Sequence, residues 1–534
     1  MKKLTILTVS LVLSGCAVDS ITNVLNNKYE SFDGKYIDQP SIETNNLATE
    51  AVNTKPELIN LRAAADQDLI NNPYVDKYLR QILDKLITQW DFPIEKPIKI
   101  AVSTDSSYSA FATDDTIVIA QGIIGDANTE DELAFIIAHE LSHILLRHNE
   151  TNEYFAKQSA LVSKAANIAM STALLRDVKS QKTANGYNIS IQTTEQSKNL
   201  MMDSYRTGLS INRLSRDMIS SSMSRSHEDE ADLLGIDLMI KAGYSPKAFT
   251  IVFDRIEQSH QFNSMQLKAK KQDFQKFVSI ASDAGKHIQS DGWATLGYLA
   301  ANEAATSLLQ TFSERHNSAL ERKKDISAYL KREYRKERKR RQNSEGLTKR
   351  LKQGKGHTIQ KNYWYASEAI KAIEFGDLNT AEKLAKKGVS GPTKYHAYPR
   401  LAFYSVRKMQ QKHGKAIQNL NMIRDWNYAS IQTFSLAAQS YREQKQTQKA
   451  LEILNKATKT IGTSTPFFPE YISVYKTSGD SEKLTAILER CKKLEEENIV
   501  AQCYTNAGIT PEKGKSSSGG LLDSLSSFTE LIEI

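Results

Sequence analysis

The sequence predicts a mainly α chain with a small β-sheet, in which an α+β domain is followed by an α-solenoid of helical repeats. Three observations carry this. A long apolar run, Leu133 to His148, reads as a buried helix although His139, Glu140 and His143 stand in its middle. Short extended runs precede it, Ile98 to Val102, Tyr108 to Ala112 and Thr116 to Ala120, the last two separated by Asp114-Asp115 as in a hairpin. Far downstream, Ala381, Ala416, Ala450 and Leu484 recur at close to the 34-residue period of paired-helix repeats. With 534 residues the chain exceeds one core and predicts two or more domains. The formal charge of +8 is mild for that length and concentrated in one run, so it does not by itself argue for nucleic acid. Three cysteines exclude a disulfide scaffold.

Residues 1–15 read as an export signal. Lys2 and Lys3 form a positive start, Leu4 to Leu13 an apolar stretch, and Leu13-Ser14-Gly15-Cys16 closes it. The ending resembles the bacterial lipobox, which implies cleavage before Cys16, acylation of that cysteine and a lipid anchor. A cytoplasmic amphipathic start or an ordinary secretory signal is the alternative. Ala17 follows the cysteine, and by the same resemblance this implies the inner face of the outer membrane. No later segment approaches eighteen apolar residues. Residues 16–56 are polar and aperiodic and predict a flexible tether. From Glu57 to Trp90 a helical pattern returns, with Leu79, Ile82, Leu83 and Leu86 at helical spacing.

The helix that carries His139 starts near Thr129, where Thr129, Asp131 and Glu132 supply a cap and first-turn acids. Positions i and i+4 share a helix face, so His139 and His143 can present two imidazoles to one tetrahedral zinc ion. Glu140 then stands where a carboxylate could reach a metal-bound water. The alternative, two core histidines and a stray carboxylate, would bury three polar groups with nothing to satisfy them. Ala156 to Leu175 predicts another amphipathic helix, and residues 178–222, polar and interrupted by Asn185-Gly186, a mobile loop.

A second helix runs from Ser226 to a stop at Gly243 and Pro246. Glu228 and Asp232, four apart, share a face. A catalytic zinc on two histidines needs a third protein ligand, and Glu228 can be it, while Asp232 can accept the free imidazole N–H of a ligating histidine. Asp229 and Glu230 fit a solvated acidic face, and His227 is read as non-ligating.

Together, His139-Glu-Leu-Ser-His143 running on to Arg147-His148, Ala110-Phe111-Ala112 before it, and Glu228-Asp-Glu-Ala-Asp232 running on to Ala242-Gly243-Tyr244 resemble the HtpX and CAAX prenyl endopeptidase family of zinc metallopeptidases. The resemblance covers about residues 60 to 325 and is closest to the periplasmic, BepA-like branch with C-terminal repeats. It implies an α+β zincin metalloprotease domain over 57–325, one Zn2+ held by His139, His143 and Glu228, and Glu140 as the catalytic base. Asp232 is implied as the partner of a ligating histidine, and the strand region around Phe111, Ala112, Ile117 and Ile119 as the substrate-binding edge. Ser109 stands where the family usually has Asn. Arg315-His316-Asn317, with Arg322 after it, replaces the late Thr-His-Pro motif. His316 is thereby implied either as an oxyanion stabiliser in catalysis or as a cap on a latent zinc, an exposed helix histidine being the alternative.

Residues 326–356 are strongly basic and predict an exposed helical linker, with contact to anionic lipid or lipopolysaccharide as the alternative to simple solvation. Residues 357–507 predict a tetratricopeptide-like repeat domain whose concave face suits a protein segment, a plain helical bundle being the alternative. Cys491 and Cys503 near its end could form a disulfide in an oxidising compartment or remain buried thiols. Residues 508–534 are a linker and an amphipathic end. By resemblance the function is peptide-bond hydrolysis in quality control of misfolded or stalled outer-membrane proteins in the periplasm. The competing reading is an assembly factor or chaperone for those proteins, contacting their insertion machinery, with proteolysis latent.

Overall fold

Pro73 opens α1 (Pro73–Ile87), the first α-helix among the described residues, at a position where a missing N–H costs nothing. Its buried residues Val75, Tyr78, Leu79, Ile82, Leu83 and Leu86 follow helical spacing and form one wall of the main core. The computed structural model describes residues 34–39, 67–113, 115–148, 178–183, 186–191, 225–259, 318–345, 347, 351–494 and 497–508. Two compact units divide the chain between Ala429 and Ser430. No helix among the described residues is long and apolar enough to cross a membrane.

The helical pattern read over Glu57 to Trp90 is corrected for residues 67–72, residues 57–66 lying outside the described residues. Residues 67–72 lie outside any helix. Leu69 bridges Ser103, and the Ile70 N–H donates to Val102 O at 2.8 Å, so this stretch spends its backbone groups on the sheet. The sheet has the order β1 (Lys99–Ser103), β3 (Thr116–Ala120), β2 (Ala110–Ala112). β1 pairs with β3 in parallel and β2 with β3 antiparallel, which leaves β2 at an edge and β3, buried throughout, in the centre.

α2 (Gln121–Asp126) leads into α3 (Glu130–Leu145), the long apolar run. Thr129 caps α3: its hydroxyl oxygen accepts from the Glu132 N–H at 3.3 Å and its O–H donates to Glu132 Oε1 at 3.0 Å. Asp131, buried beside them, accepts from the backbone of Ser245 and of Asn343, each at 2.6 Å. α4 (Arg225–Lys241) packs against α3 and is closed by Gly243, whose φ of +87° permits the Tyr244 N–H to reach back to Met239 O. The described part of 178–222 is not a loop: β4 (Val178–Thr183) and β5 (Gly186–Ile191) form an antiparallel hairpin across residues 184–185.

Two further segments depart from expectation. Residues 34–39 of the expected tether make a turn, Tyr36–Asp38, that docks on α4: the Ile37 N–H donates to Asp237 Oδ2 at 2.9 Å, and Ile37 is buried. The basic run does not continue as one helix. α5 (Ser318–Glu333) ends, Tyr334 turns inward to Asp237 at 2.8 Å, and Arg340 donates to the carbonyls of Ile240 and Tyr244. Ile240 lies in the last turn of α4 and Tyr244 just past it, so Arg340 ties the run to that end of the core, while Arg335, Lys336, Arg338, Lys339 and Arg341 stay exposed.

Helix pairs follow. α6 (Gly354–Glu374), α7 (Leu378–Gly388), α8 (Ala397–Met409) and α9 (His413–Asn421) belong to the first unit. α6 is fused to the sheet side: Gln121 Nε2 donates to Ser367 Oγ at 2.6 Å, Ser367 Oγ donates to Thr104 O at 2.9 Å, and Ile359 and Tyr363 join the main core. In the second unit, α10 (Ile431–Glu443) pairs with α11 (Thr447–Ile461), and α12 (Phe468–Ser478) with α13 (Ser481–Cys491). α14 (Glu497–Ala507) is held to α13 by a disulfide between Cys491 and Cys503. Within each of the four pairs the turn contains a residue of positive φ: Gly376, Gln411, Lys445 and Gly479, spaced 35, 34 and 34 residues apart. Five residues after the first three stand Ala381, Ala416 and Ala450, all buried where paired helices touch.

The α3–α4 contact is the closest helix approach that bears on the candidate site. A Cβ at Gly235 would lie 3.1 Å from His139 N and 3.2 Å from the Ala138 carbonyl carbon. We predict that Gly235→Val forces the helices apart, costing roughly 1–3 kcal/mol of stability. Denaturant midpoints measure this, and metal content should fall in parallel as His139 moves from Glu228.

Candidate metal centre

α3 and α4 run antiparallel, so residues 138 to 148 of the first strip meet 235 down to 227 of the second. His139 and His143 share one face of α3, Glu228 and Asp232 one face of α4. His139 Nε2 and His143 Nε2 are 3.1 Å apart, with Glu228 Oε2 3.5 Å from the first and Glu228 Oε1 3.6 Å from the second. The three residues are the candidate metal-holding group found among the described residues, their ligand atoms all within 4.8 Å of one another. A tetrahedral zinc with bonds of about 2.0–2.1 Å separates its ligand atoms by about 3.3 Å, so two nitrogens and one carboxylate at these spacings fit the ion.

The surroundings fix each group. Asp232 Oδ1 lies 2.9 Å from His139 Nδ1, turning Nε2 of that ring toward His143 and Glu228. Arg322, from α5, forks onto Asp232 with Nε at 2.7 Å and Nη2 at 2.8 Å, while its Nη1 lies 2.7 Å from Glu228 Oε2. Its guanidinium rests over the Phe253 ring, 4.9 Å from the centroid. Burial alone would raise the Glu228 and Asp232 carboxyls, yet Arg322 and then His139 hold both below their ordinary values. Burial likewise opposes a charge on His139, but the Asp232 and Glu228 carboxylates outweigh it and raise the ring to about 10. His143, buried and facing His139, is pushed down to about 3. Glu140 is pushed up to about 7 by its burial, with the Glu228 charge adding and His139 and Arg322 opposing.

The structure thus brings together His139, Glu140, His143, Glu228 and Asp232. Phe111 and Ala112 lie partly exposed on the edge strand β2. Ile117 and Ile119, expected with them at the substrate edge, are corrected: both are 0% exposed in β3, which is paired on its two sides, so they are core. Cys16 and His316 lie outside the described residues, as do residues 156–175 and 509–534. The solvated face assigned to Asp229 and Glu230 is also corrected. Asp229 is buried, and Glu230 Oε2 meets His148 Nε2 at 3.2 Å. His227 stays outside the ligand group and stacks on His148, rings 4.2 Å apart and 9° from parallel. Arg322 had a visible sequence signal only as the arginine after His316, and nothing in spacing pointed it at Asp232 and Glu228 far upstream.

Removing the guanidinium leaves Glu228 and Asp232 buried without their cation. We predict that Arg322→Met lowers stability by roughly 3–5 kcal/mol in chelator-treated protein. Saturating zinc should recover part of that loss, because the ion takes over the charge of Glu228. Paired melts with and without chelator measure both values.

Comparison with known proteins agrees with this geometry. Residues 73–326 match the model of Peptidase family M48. A Vibrio cholerae protein named for beta-barrel assembly enhancement is 24% identical over 203 residues, 37% of this chain and 36% of that protein. The beta-barrel assembly-enhancing protease of Escherichia coli strain K12 is 21% identical over 197 residues, 37% of this chain and 35% of its own. A CAAX prenyl protease 1 homolog of Arabidopsis thaliana is 35% identical over 91 residues, 16% of this chain and 21% of that protein. The chain therefore spans about a third or less of the length of these relatives. The family match contains the ligand group on α3 and α4: residues 73–326 carry a Peptidase M48 domain, and the relatives they resemble are named as beta-barrel assembly-enhancing and CAAX prenyl proteases.

Proposed function

We propose that the protein is a zinc-dependent endopeptidase acting on misfolded or stalled outer-membrane proteins in the bacterial periplasm, tethered by lipid at Cys16, with its helix pairs serving as tetratricopeptide-like repeats that select clients. The observation that carries the catalytic part is the convergence of His139, His143 and Glu228 with Glu140 beside them. The client and the compartment rest on the names of the relatives and on the lipobox-like start.

His139, His143 and Glu228 would hold the zinc ion, which when bound would supply Lewis-acid polarisation of the scissile carbonyl and lower the pKa of the attacking water. Glu140 takes the water's proton and delivers it to the leaving amine. Asp232, itself forked by Arg322, holds His139 in the tautomer that directs Nε2 to the ligand group. The edge of β2 at Phe111 and Ala112 offers backbone groups to an extended substrate, which gives recognition with little demand on sequence. His316 is assigned to oxyanion stabilisation or latency by resemblance only.

Glu140→Gln is expected to keep zinc at one equivalent and to lose cleavage of a denatured outer-membrane barrel by at least about 100-fold, the lower range for a positioned general base. Cleavage by the wild type alone supports the peptidase. Equal cleavage by both proteins refutes the role of Glu140, and none by either moves weight to an assembly factor with latent proteolysis.

The base must be ionised. Because burial raises Glu140 to about 7 and a bound cation pulls it back down, kcat/KM should fall on the acid side with an apparent pKa at or below about 7. A pH-rate profile with an acid limb above that value would contradict the assignment.

A further inference from the structure

Behind the ligand group lies a second line of polar side chains that the reaction above does not use. His148, just past the C-terminal end of α3, is 3% exposed, and its Nδ1 sits 2.9 Å from His143 Nδ1. Its other nitrogen, Nε2, meets Glu230 Oε2 at 3.2 Å. His227 stacks on its ring, and Tyr36 of the docked N-terminal segment hydrogen-bonds Glu230. The backbone is arranged to aim the ring. Arg147 takes a φ of 58°, outside the helical range, which breaks α3 and turns His148 back toward His143.

The tautomers along this line admit one consistent assignment. A His143 ring that presents Nε2 to the ligand group carries its proton on Nδ1, where it must donate. The atom it meets is His148 Nδ1, so His148 accepts there and carries its own proton on Nε2, which donates to Glu230. Asp232 serves His139 in the same way. The two histidine ligands therefore have unlike partners, a carboxylate for one and an imidazole backed by a carboxylate for the other.

We infer that His148 is a positioning residue, which with Glu230 behind it fixes the tautomer and orientation of His143 for metal binding. The inference rests on the reading of His139, His143 and Glu228 as zinc ligands. It differs from a packing role for His148 because the relay acts through two specific nitrogen atoms, whereas packing needs only the ring.

The test uses the full chain, zinc competition with a chelating indicator, and the visible absorption of the Co2+-substituted protein. His148→Phe keeps a ring against His227 but offers no acceptor, and zinc affinity is expected to fall roughly 10–100-fold with an altered cobalt spectrum. His148→Asn returns an acceptor near the Nδ1 position and should bind zinc within about fivefold of wild type, which a general need for an aromatic ring would not produce. Phe binding within about threefold of wild type with an unchanged cobalt spectrum overturns the inference, as does an Asn variant no better than Phe. Should the Phe variant fail to fold, Glu230→Ala at a partly exposed position replaces it. There a loss of at least about threefold supports the relay and unchanged affinity and spectrum refute it. A wild type that takes up no zinc would instead sink the metal-centre reading itself, so the two failures are told apart.

Discussion

Two helices must touch backbone to backbone for this site to exist. Imidazoles on α3 and a carboxylate on α4 can share one ion only if the helix surfaces between them carry no bulk, and Gly235 against Ala138 and His139 provides that. The approach then sets everything beside it. Moving along α3 and just past its end, His139, His143 and His148 meet Asp232, Glu228 and Glu230, so one antiparallel packing supplies both the ligands and the groups beside them.

Such an arrangement concentrates charge in a core, and the molecule answers with a single long cation. Arg322 spans Asp232 and Glu228 at once, and its flat guanidinium lies on Phe253, so its own desolvation is offset by an aromatic face and two carboxylates. A lysine would offer neither the fork nor the stacking surface. The same economy appears at the opposite end of α4, where Asp237 gathers the hydroxyls of Tyr329 and Tyr334 and the N–H of Ile37, joining three chain segments far apart in sequence.

What could be read from the sequence was what repeats or pairs locally. The i, i+4 spacing of His139 with His143 and of Glu228 with Asp232, the Thr129 cap and the Gly243 stop are short-range signals, and the described helices keep them. Residues whose role depends on distant partners were not legible in that way. Glu230 looked like a solvated acid until His148 was placed against it, and the basic run looked like a helical linker until Tyr334 turned in to Asp237 and Arg340 met the carbonyls of Ile240 and Tyr244. Ile117 and Ile119 were misplaced because the family resemblance marks the region around Ala110-Phe111-Ala112 as a substrate edge without saying which strand lies outermost, and β3 is paired with β1 on one side and β2 on the other. The hairpin at 178–191 did carry a local signal, Asn185-Gly186 before alternating Tyr187, Ile189 and Ile191, which its polar composition outweighed.

The fusion of α6 to the sheet bears on where the enzyme ends. The family match stops at residue 326, yet Asn72 spends its amide on Gly356 O, the Asn71 N–H reaches the hydroxyl of Tyr363, and Thr104 and Gln121 are completed by Ser367. A fragment cut at the family boundary would expose an apolar seat shaped for Ile359 and Tyr363 and strip partners from four polar residues next to the strands. The compact unit that holds the metal-ligand group thus reaches to Ala429, and α6 is as much a wall of its main core as the first member of a helix pair.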